Sequence, residues 1–206
     1  SEAGQKLALQ LTDYKNTKGI ILALPRGGIA VAKPIAKELA LSLDVIITRK
    51  IAYPGNPEYA VGAIAETGLL KLNSDMLSSM KPDYVQQEIE IQKAEIQKSL
   101  KLYRNNNPLP NLMNKNVILV DDGIATGFSM KVALEAVSQL SPQKIILAIP
   151  VAPKETISEF LDNYPGVKII CLQQTDAFLS VGQFYEDFTQ IEDSEVKKIL
   201  KSLQVS

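Results

Sequence analysis

The sequence has 206 residues, 46% of them hydrophobic and 22% charged, which suits one globular domain over residues 1–206 with a buried core. A net charge of −1 gives no electrostatic footprint for nucleic acid or a membrane surface. The absence of histidine excludes Ser-His and Cys-His nucleophilic catalysis and His-ligated zinc. With one cysteine, Cys171, no transmembrane-length apolar stretch and no signal pattern, the sequence predicts a cytoplasmic protein.

Helix and strand patterns alternate along the first part of the chain. Residues 2–14 predict an amphipathic helix, and the apolar run 19–24 predicts a buried strand. The helix that follows contains Pro34, which is comfortable only in a first helical turn, so we expect this helix to begin near Ala32 or to be kinked. A further strand is predicted over residues 43–48.

The middle of the chain is expected to leave this pattern. Closely spaced prolines and a glycine predict a loop over residues 51–58. Short apolar runs at 60–65 and 68–72 predict a hairpin. A long helix over residues 82–103 follows, with proline in its first turn.

The second half returns to alternating strands and helices. The predicted elements are strand 117–120, a helix from about residue 130, strand 144–149, helix 154–161, strand 167–172, an irregular segment 173–190 and helix 193–203. This order predicts an α/β fold, a doubly wound parallel sheet of about five strands that binds ligands at the carboxyl ends of its strands.

Two adjacent carboxylates, Asp121 and Asp122, stand where the strand at 117–120 must leave the core. A short turn then feeds a helix, so the amides of residues 125–129 lie at a helix N-terminus, where unpaired donors and the helix dipole favour a phosphate. The acids repel phosphate, but they can accept hydrogen bonds from hydroxyls. The stretch therefore predicts a ligand with a sugar diol close to a phosphate, and the alternative is an ordinary turn with acids that cap the helix.

This stretch resembles the loop that binds phosphoribosyl diphosphate (PRPP) in the type I phosphoribosyltransferases. The resemblance implies that Asp121 and Asp122 hold the ribose 2′ and 3′ hydroxyls, and that Asp122 belongs to the catalytic set. The residues implied to wrap the 5′-phosphate are Ala125, Thr126, Gly127, Phe128 and Ser129. Phe128 replaces the small or basic residue common in the family, but only its amide is needed.

A second motif, Leu24-Pro25-Arg26-Gly27-Gly28, follows the first strand. Glycines let backbone amides converge on an anion, and an arginine offers a fork suited to phosphate oxygens. In the resembled family this is the pyrophosphate loop, which assigns Arg26, Gly27 and Gly28 to PRPP binding. The alternative is a tight turn with a surface arginine.

Arg49 and Lys50, before the predicted loop, resemble the mobile catalytic loop of the family. Cations closing onto the leaving pyrophosphate would stabilise its charge and exclude water. Arg49 and Lys50 are therefore expected catalytic residues, with Glu58 as a further candidate. The alternative is a solvated basic pair at a strand end.

The tail resembles the base-binding hood of the 6-oxopurine enzymes in this family, and residues 173–190, together with the hairpin at 60–72, are the expected hood. By that analogy Phe184 or Tyr185 stacks on the base and Asp187 lies near Mg²⁺ or the base, whereas an aromatic core under a loop explains the segment equally well. Ala125 argues against a 6-oxopurine, since those enzymes use an aspartate there to handle a proton. The acceptor base stays open.

Together these motifs resemble a bacterial subgroup of predicted phosphoribosyltransferases with an undefined acceptor. The resemblance implies transfer of the 5-phosphoribosyl group from PRPP to a purine or pyrimidine base, with Mg²⁺ held mainly by PRPP oxygens, in a homodimer. The alternatives are a non-catalytic protein that senses PRPP or a nucleotide, and a general nucleotide-monophosphate-binding domain.

Overall fold

The computed structural model describes residues 1–78 and 80–203, with the backbone alone for residues 57–59. Its strands are β1 (Gly19–Ala23), β2 (Ser42–Val45), β3 (Thr48–Tyr53), β4 (Asn56–Ala65), β5 (Leu70–Leu72), β6 (Asn116–Val120), β7 (Lys144–Pro153) and β8 (Lys168–Thr175). Its helices are α1 (Glu2–Gln10), α2 (Gly27–Leu39), α3 (Ser74–Leu77), α4 (Pro82–Arg104), α5 (Phe128–Ser138), α6 (Lys154–Asn163) and α7 (Asp193–Leu203).

Five strands form one parallel sheet in the order β2-β1-β6-β7-β8. Its central strands are continuous apolar runs because helices cover both faces. One core lies between the sheet and helices α1, α2 and α7, and the other lies between the sheet and helices α5 and α6. The predicted doubly wound parallel sheet of about five strands is confirmed.

Helix α2 begins at Gly27 and continues through Pro34, so a start near Ala32 is wrong. Burial of Ile29 and Val31 in the core stabilises the first turns despite the two glycines. Helix α1 packs closely on this helix at Gly4, where an added Cβ would lie 2.4 Å from Pro34 Cγ.

A second, three-stranded antiparallel sheet has the order β3-β4-β5. The predicted strand over residues 43–48 is wrong at its C-terminal end. Strand β2 ends at Val45, and Thr48 begins strand β3 of this second sheet. The predicted loop over 51–58 is also wrong. Proline fixes φ at Pro54, and Gly55 adopts φ +75°, so a two-residue turn suffices and Tyr53 pairs with Asn56.

The predicted hairpin is confirmed as β4 paired with β5. Lys71 on β5 pairs with Glu135 on α5, so the small sheet lies against the α5 side of the molecule. Within the described residues, no helix combines the length and apolar character needed to cross a membrane.

Candidate functional site

The acidic pair follows β6 directly, at the carboxyl edge of the parallel sheet. Asp121 and Asp122 are both partly exposed. The amide of Asp122 donates to Asp121 Oδ1 at 2.9 Å, which orients the first carboxyl group. The strand is fully buried from Val117 to Val120, so these are the first polar side chains after the buried run that can leave the core.

The two carboxyl groups perturb each other. Burial raises the pKa of Asp121 well above its usual range, the charge of Asp122 raises it further, and the charge of Lys50 opposes the rise. Burial likewise raises the pKa of Asp122. Burial makes the ionised form of these carboxyl groups less stable. Hydroxyl groups of a ligand that donate hydrogen bonds to the carboxylates would stabilise that form.

A row of free amides lies beside the acidic pair. Among the hydrogen bonds of the described residues, none uses the backbone amides of residues 125–129 as donors. Ala125 and Thr126 are exposed, and helix α5 begins at Phe128 with Gly127 (φ +74°) as its N-cap and no side-chain cap. This is the arrangement that binds a phosphate at a helix N-terminus.

The second motif packs against the first. An added Cβ on Gly27 would lie 1.8 Å from Asp122 Oδ2, and one on Gly28 would lie 2.7 Å from the carbonyl oxygen of Val120. Only glycine allows the two loops to approach this closely. The peptide bond between Pro25 and Arg26 is cis.

Arg26 reaches the C-terminal segment. Its Nη2 donates to Gln190 Oε1 at 3.3 Å, and its Nη1 lies 4.0 Å from Asp193 Oδ1. It borders a cavity of about 310 Å³ that is also lined by Gly27, Asp122 and Asp187. The cavity thus joins the pyrophosphate-loop motif, the acidic pair and the tail.

Arg49 and Lys50 are separated by strand geometry, since successive side chains of a strand point to opposite faces. Arg49 Nη2 donates to Ser99 Oγ on α4 at 2.7 Å, and Arg49 borders a second cavity of about 570 Å³ with Arg26 and Lys98. Lys50 lies close enough to Asp121 to influence its pKa. The side chain of Glu58 lies outside the described residues.

The tail folds over the acidic turn. The Tyr185 hydroxyl donates to the carbonyl oxygen of Asp122 at 2.6 Å, and its ring packs on Phe188 at a centroid distance of 5.2 Å. Phe184 instead packs on Phe178 at 5.4 Å. Asp187 accepts hydrogen bonds from the amide and hydroxyl of Thr189, which lower its pKa.

The described residues contain no group of three or more His, Cys, Asp or Glu that could hold a metal by themselves. The carboxylates around the first cavity, Asp122 and Asp187, fit a Mg²⁺ ion that takes most of its ligands from a bound phosphorylated substrate.

Sequence reasoning missed Thr156 and Ser99. Thr156 Oγ1 donates to the carbonyl oxygen of Ala125 at 2.9 Å, and Ser99 holds Arg49. Each lies at an ordinary position in a helix and contacts a residue that is far away in the sequence. No local pattern therefore marks either of them.

The fold and the edge of β6 together define a type I phosphoribosyltransferase-like α/β protein. A model of the phosphoribosyl transferase domain matches residues 2–189. The chain therefore belongs to the phosphoribosyl transferase family.

Three relatives illustrate the range of similarity. Rv0571c of Mycobacterium tuberculosis strain H37Rv, which carries a provisional phosphoribosyl transferase name, is 35% identical over 201 residues, covering 97% of this chain and 45% of its own length. The chain thus spans less than half of that relative. The human phosphoribosyltransferase domain-containing protein 1 is 25% identical over 173 residues, covering 78% of this chain and 70% of its own.

Among solved structures, TT1426 from Thermus thermophilus matches with a TM-score of 0.80 and 36% identity, covering 98% of this chain and 96% of its own. Because the similarity covers nearly the full length of both chains, the two proteins share the whole fold described above.

Proposed function

We propose that this protein transfers the 5-phosphoribosyl group from PRPP to a nitrogenous base, a purine or a pyrimidine, and releases pyrophosphate. The observation that carries the proposal is the juxtaposition of the Asp121–Asp122 pair with the unpaired amides of residues 125–129. A pentose 5-phosphate offers a diol to the first and a phosphate to the second.

In this proposal the protein positions the ribosyl group and contributes no nucleophile. The carboxylates of Asp121 and Asp122 accept hydrogen bonds from the 2′ and 3′ hydroxyls, and the amides of residues 125–129 hold the 5′-phosphate. The sugar is then fixed at both ends while positive charge develops on its anomeric carbon, so binding energy is used for orientation.

The leaving pyrophosphate is proposed to lie beside Arg26, Gly27 and Gly28. Arg26 and Arg49 border one cavity, so both guanidinium groups can approach the developing negative charge once Arg49 leaves Ser99. Lys50 lies nearer the acidic pair, where it can balance the carboxylate charge. When bound, Mg²⁺ neutralises charge on the pyrophosphate oxygens, with Asp187 as a candidate protein contact.

A PRPP-sensing protein without turnover is the second candidate. It is favoured by the present contacts of the two arginines, because Arg26 binds Gln190 and Arg49 binds Ser99. If these contacts persist with PRPP bound, the leaving group receives no side-chain cation from either residue.

The test is a pyrophosphate-release assay with PRPP, Mg²⁺ and a panel of purine and pyrimidine bases. Reactions without base control for hydrolysis of PRPP, and the Asp122→Asn variant controls for contaminating transferases. Release that depends on one base supports the transferase. Tight PRPP binding by calorimetry with no release for any base supports the sensor, and absence of PRPP binding contradicts both.

A further inference from the structure

The turn over residues 122–129, which carries the free amides, is held by two hydroxyl groups on other elements. The carbonyl oxygen of Ala125 accepts from Thr156 on α6 at 2.9 Å, and that of Asp122 accepts from Tyr185 in the tail at 2.6 Å. Between these two points, the amide of Ile124 donates to the carbonyl oxygen of Val151 at 2.9 Å. The turn is therefore fixed at three points by three different segments.

Fixing a carbonyl oxygen also fixes the next amide. A trans peptide unit is planar, so its C=O and N–H groups point in opposite directions, and the peptide bonds of this turn are trans. While Thr156 holds the Ala125 carbonyl inward, the amide of Thr126 points to the opposite, exposed side. Without that hydroxyl the peptide unit is free to rotate and to present an oxygen, rather than an N–H, to the phosphate.

The Thr156 hydroxyl is well buried, and the Tyr185 hydroxyl is partly buried. Thr156 is 8% exposed, and Gly127 packs so tightly against α6 that an added Cβ would lie 2.9 Å from Phe160 Cε2. Tyr185 is half-buried, and its pKa is raised by burial and by the charges of Asp122 and Asp121. A hydroxyl that stays protonated beside two carboxyl groups remains a donor throughout the range in which they ionise.

We propose, on the basis of the proposed function, that Thr156 and Tyr185 are positioning residues that hold the phosphate-binding amides and the acidic turn in register. Thr156 sets the amide row, and Tyr185 sets the turn that joins Asp122 to that row. Tyr185 therefore serves the sugar phosphate through its hydroxyl, and stacking of its ring, or of Phe184, on the base stays a prediction.

The test uses ribose 5-phosphate, which carries both the phosphate and the diol and requires no turnover. Its Kd is measured by calorimetry for Thr156→Val and Tyr185→Phe, which keep the side-chain shape and remove the hydroxyl. Loss of one hydrogen bond in each case is expected to raise the Kd roughly fivefold to tenfold. Thr156→Ser, which retains the hydroxyl, should restore most of the affinity.

Matched controls are available in the chain. Thr17 Oγ1 donates to the carbonyl oxygen of Tyr14 at 2.9 Å, and the Tyr164 hydroxyl donates to Glu135; neither residue lines the two cavities beside the site. Thr17→Val and Tyr164→Phe should lose a comparable amount of thermal stability and leave the Kd within about twofold of the wild-type value.

Each outcome decides the question. A Kd in Thr156→Val and Tyr185→Phe that matches the controls overturns the positioning role while the proposed function stands. If wild-type protein binds neither ribose 5-phosphate nor PRPP, the proposed function fails and this inference fails with it. Amide chemical shifts of Thr126 and Gly127 that move on titration of the wild type, but not of Thr156→Val, would support the role independently of affinity.

Discussion

The two sheets of this protein place charged residues by different means. In the parallel sheet, β6 is buried from Val117 to Val120, so the residues that follow must lie at the carboxyl edge, where Asp121 and Asp122 are found. In the antiparallel sheet, Arg49 of β3 donates to Ser99 on α4, and the charge of Lys50 lowers the pKa of Asp121. The first placement follows from the local sequence, whereas the second depends on which distant segments pack against each face.

A buried ion pair connects the turn after β4 to the end of α4, and breaking that pair should have the largest effect on stability. Arg104 at the end of α4 contacts Glu66, and both side chains are almost fully buried. Arg104→Met leaves the buried Glu66 carboxylate without its charged partner, while the Ile47 amide still donates to it, so we expect a loss of about 3 kcal/mol in the free energy of unfolding. Urea or thermal denaturation measures it.

Lys101→Met is the control, because Lys101 is exposed in the same last turn of α4. It should change stability little. Equal stability of the two variants would mean that the antiparallel sheet does not depend on this ion pair.

On the parallel sheet, Gly27→Ala tests the close approach of the loop after β1 to Asp122. A methyl group there would lie 1.8 Å from Asp122 Oδ2 and 2.5 Å from Asp122 Cγ, so the whole Asp122 side chain must turn away. We therefore expect PRPP affinity to fall about 100-fold, the size of a lost charge-assisted contact, with little loss of stability. Gly166→Ala is the control, since an added Cβ there would have no atom within 4 Å. Wild-type affinity in Gly27→Ala would place the sugar away from Asp122.

Lys50→Ala and Arg49→Ala compare the two faces of β3. If the account is right, Lys50→Ala raises the KM for PRPP, because the acidic pair loses its nearby cation, and lowers affinity roughly tenfold. Arg49→Ala should change kcat more than KM, since its guanidinium is proposed to act on the leaving pyrophosphate. Identical effects on KM and kcat in the two variants would contradict this division.

The smallest expected effect is a gain in stability. The pKa of Asp121 is raised in the folded protein, so its contribution to stability is present at pH below about 4 and is lost as the pH rises through the folded-state value. Asp121→Asn should therefore stabilise the protein increasingly above that range, by on the order of 1 kcal/mol or a few degrees in Tm near neutral pH.

Asp187→Asn should show the opposite sign, because hydrogen bonds from Thr189 lower the pKa of Asp187. Asp187→Asn should lower the Tm at pH values above the range in which carboxyl groups ordinarily titrate, and should leave the Tm unchanged below that range. A Tm difference between Asp121→Asn and wild type that does not change with pH would contradict the assigned pKa shift.

The sequence predicts the parallel sheet well because its signals are local. Apolar runs mark β1 and β6, and glycines mark the loop that approaches Asp122. The turn at Pro54-Gly55 was missed because the same residues are typical of a loop, and only pairing of Tyr53 with Asn56 distinguishes the two. Thr156 could not be found because its partner, Ala125, is 31 residues away and the contact exists only after α6 has packed.

The hydroxyl contact of Tyr185 shows the same limit. An aromatic residue in the tail is consistent with stacking on a base, but the contact of its hydroxyl with Asp122 depends on how the tail folds back over β6. Roles that require a specific partner across the fold cannot be derived from residue type alone.

Asp121 and Asp122 are proposed to hold the sugar of PRPP, and the rest of the proposed mechanism depends on this contact. The most direct measurement is calorimetric titration of PRPP into Asp121→Asn/Asp122→Asn, with Asp162→Asn, an exposed site on α6, as the control and Tm as the check on folding. The account predicts that PRPP affinity falls by about a thousandfold or more in a folded protein, while the control binds like wild type. Unchanged affinity in the folded double variant would contradict it.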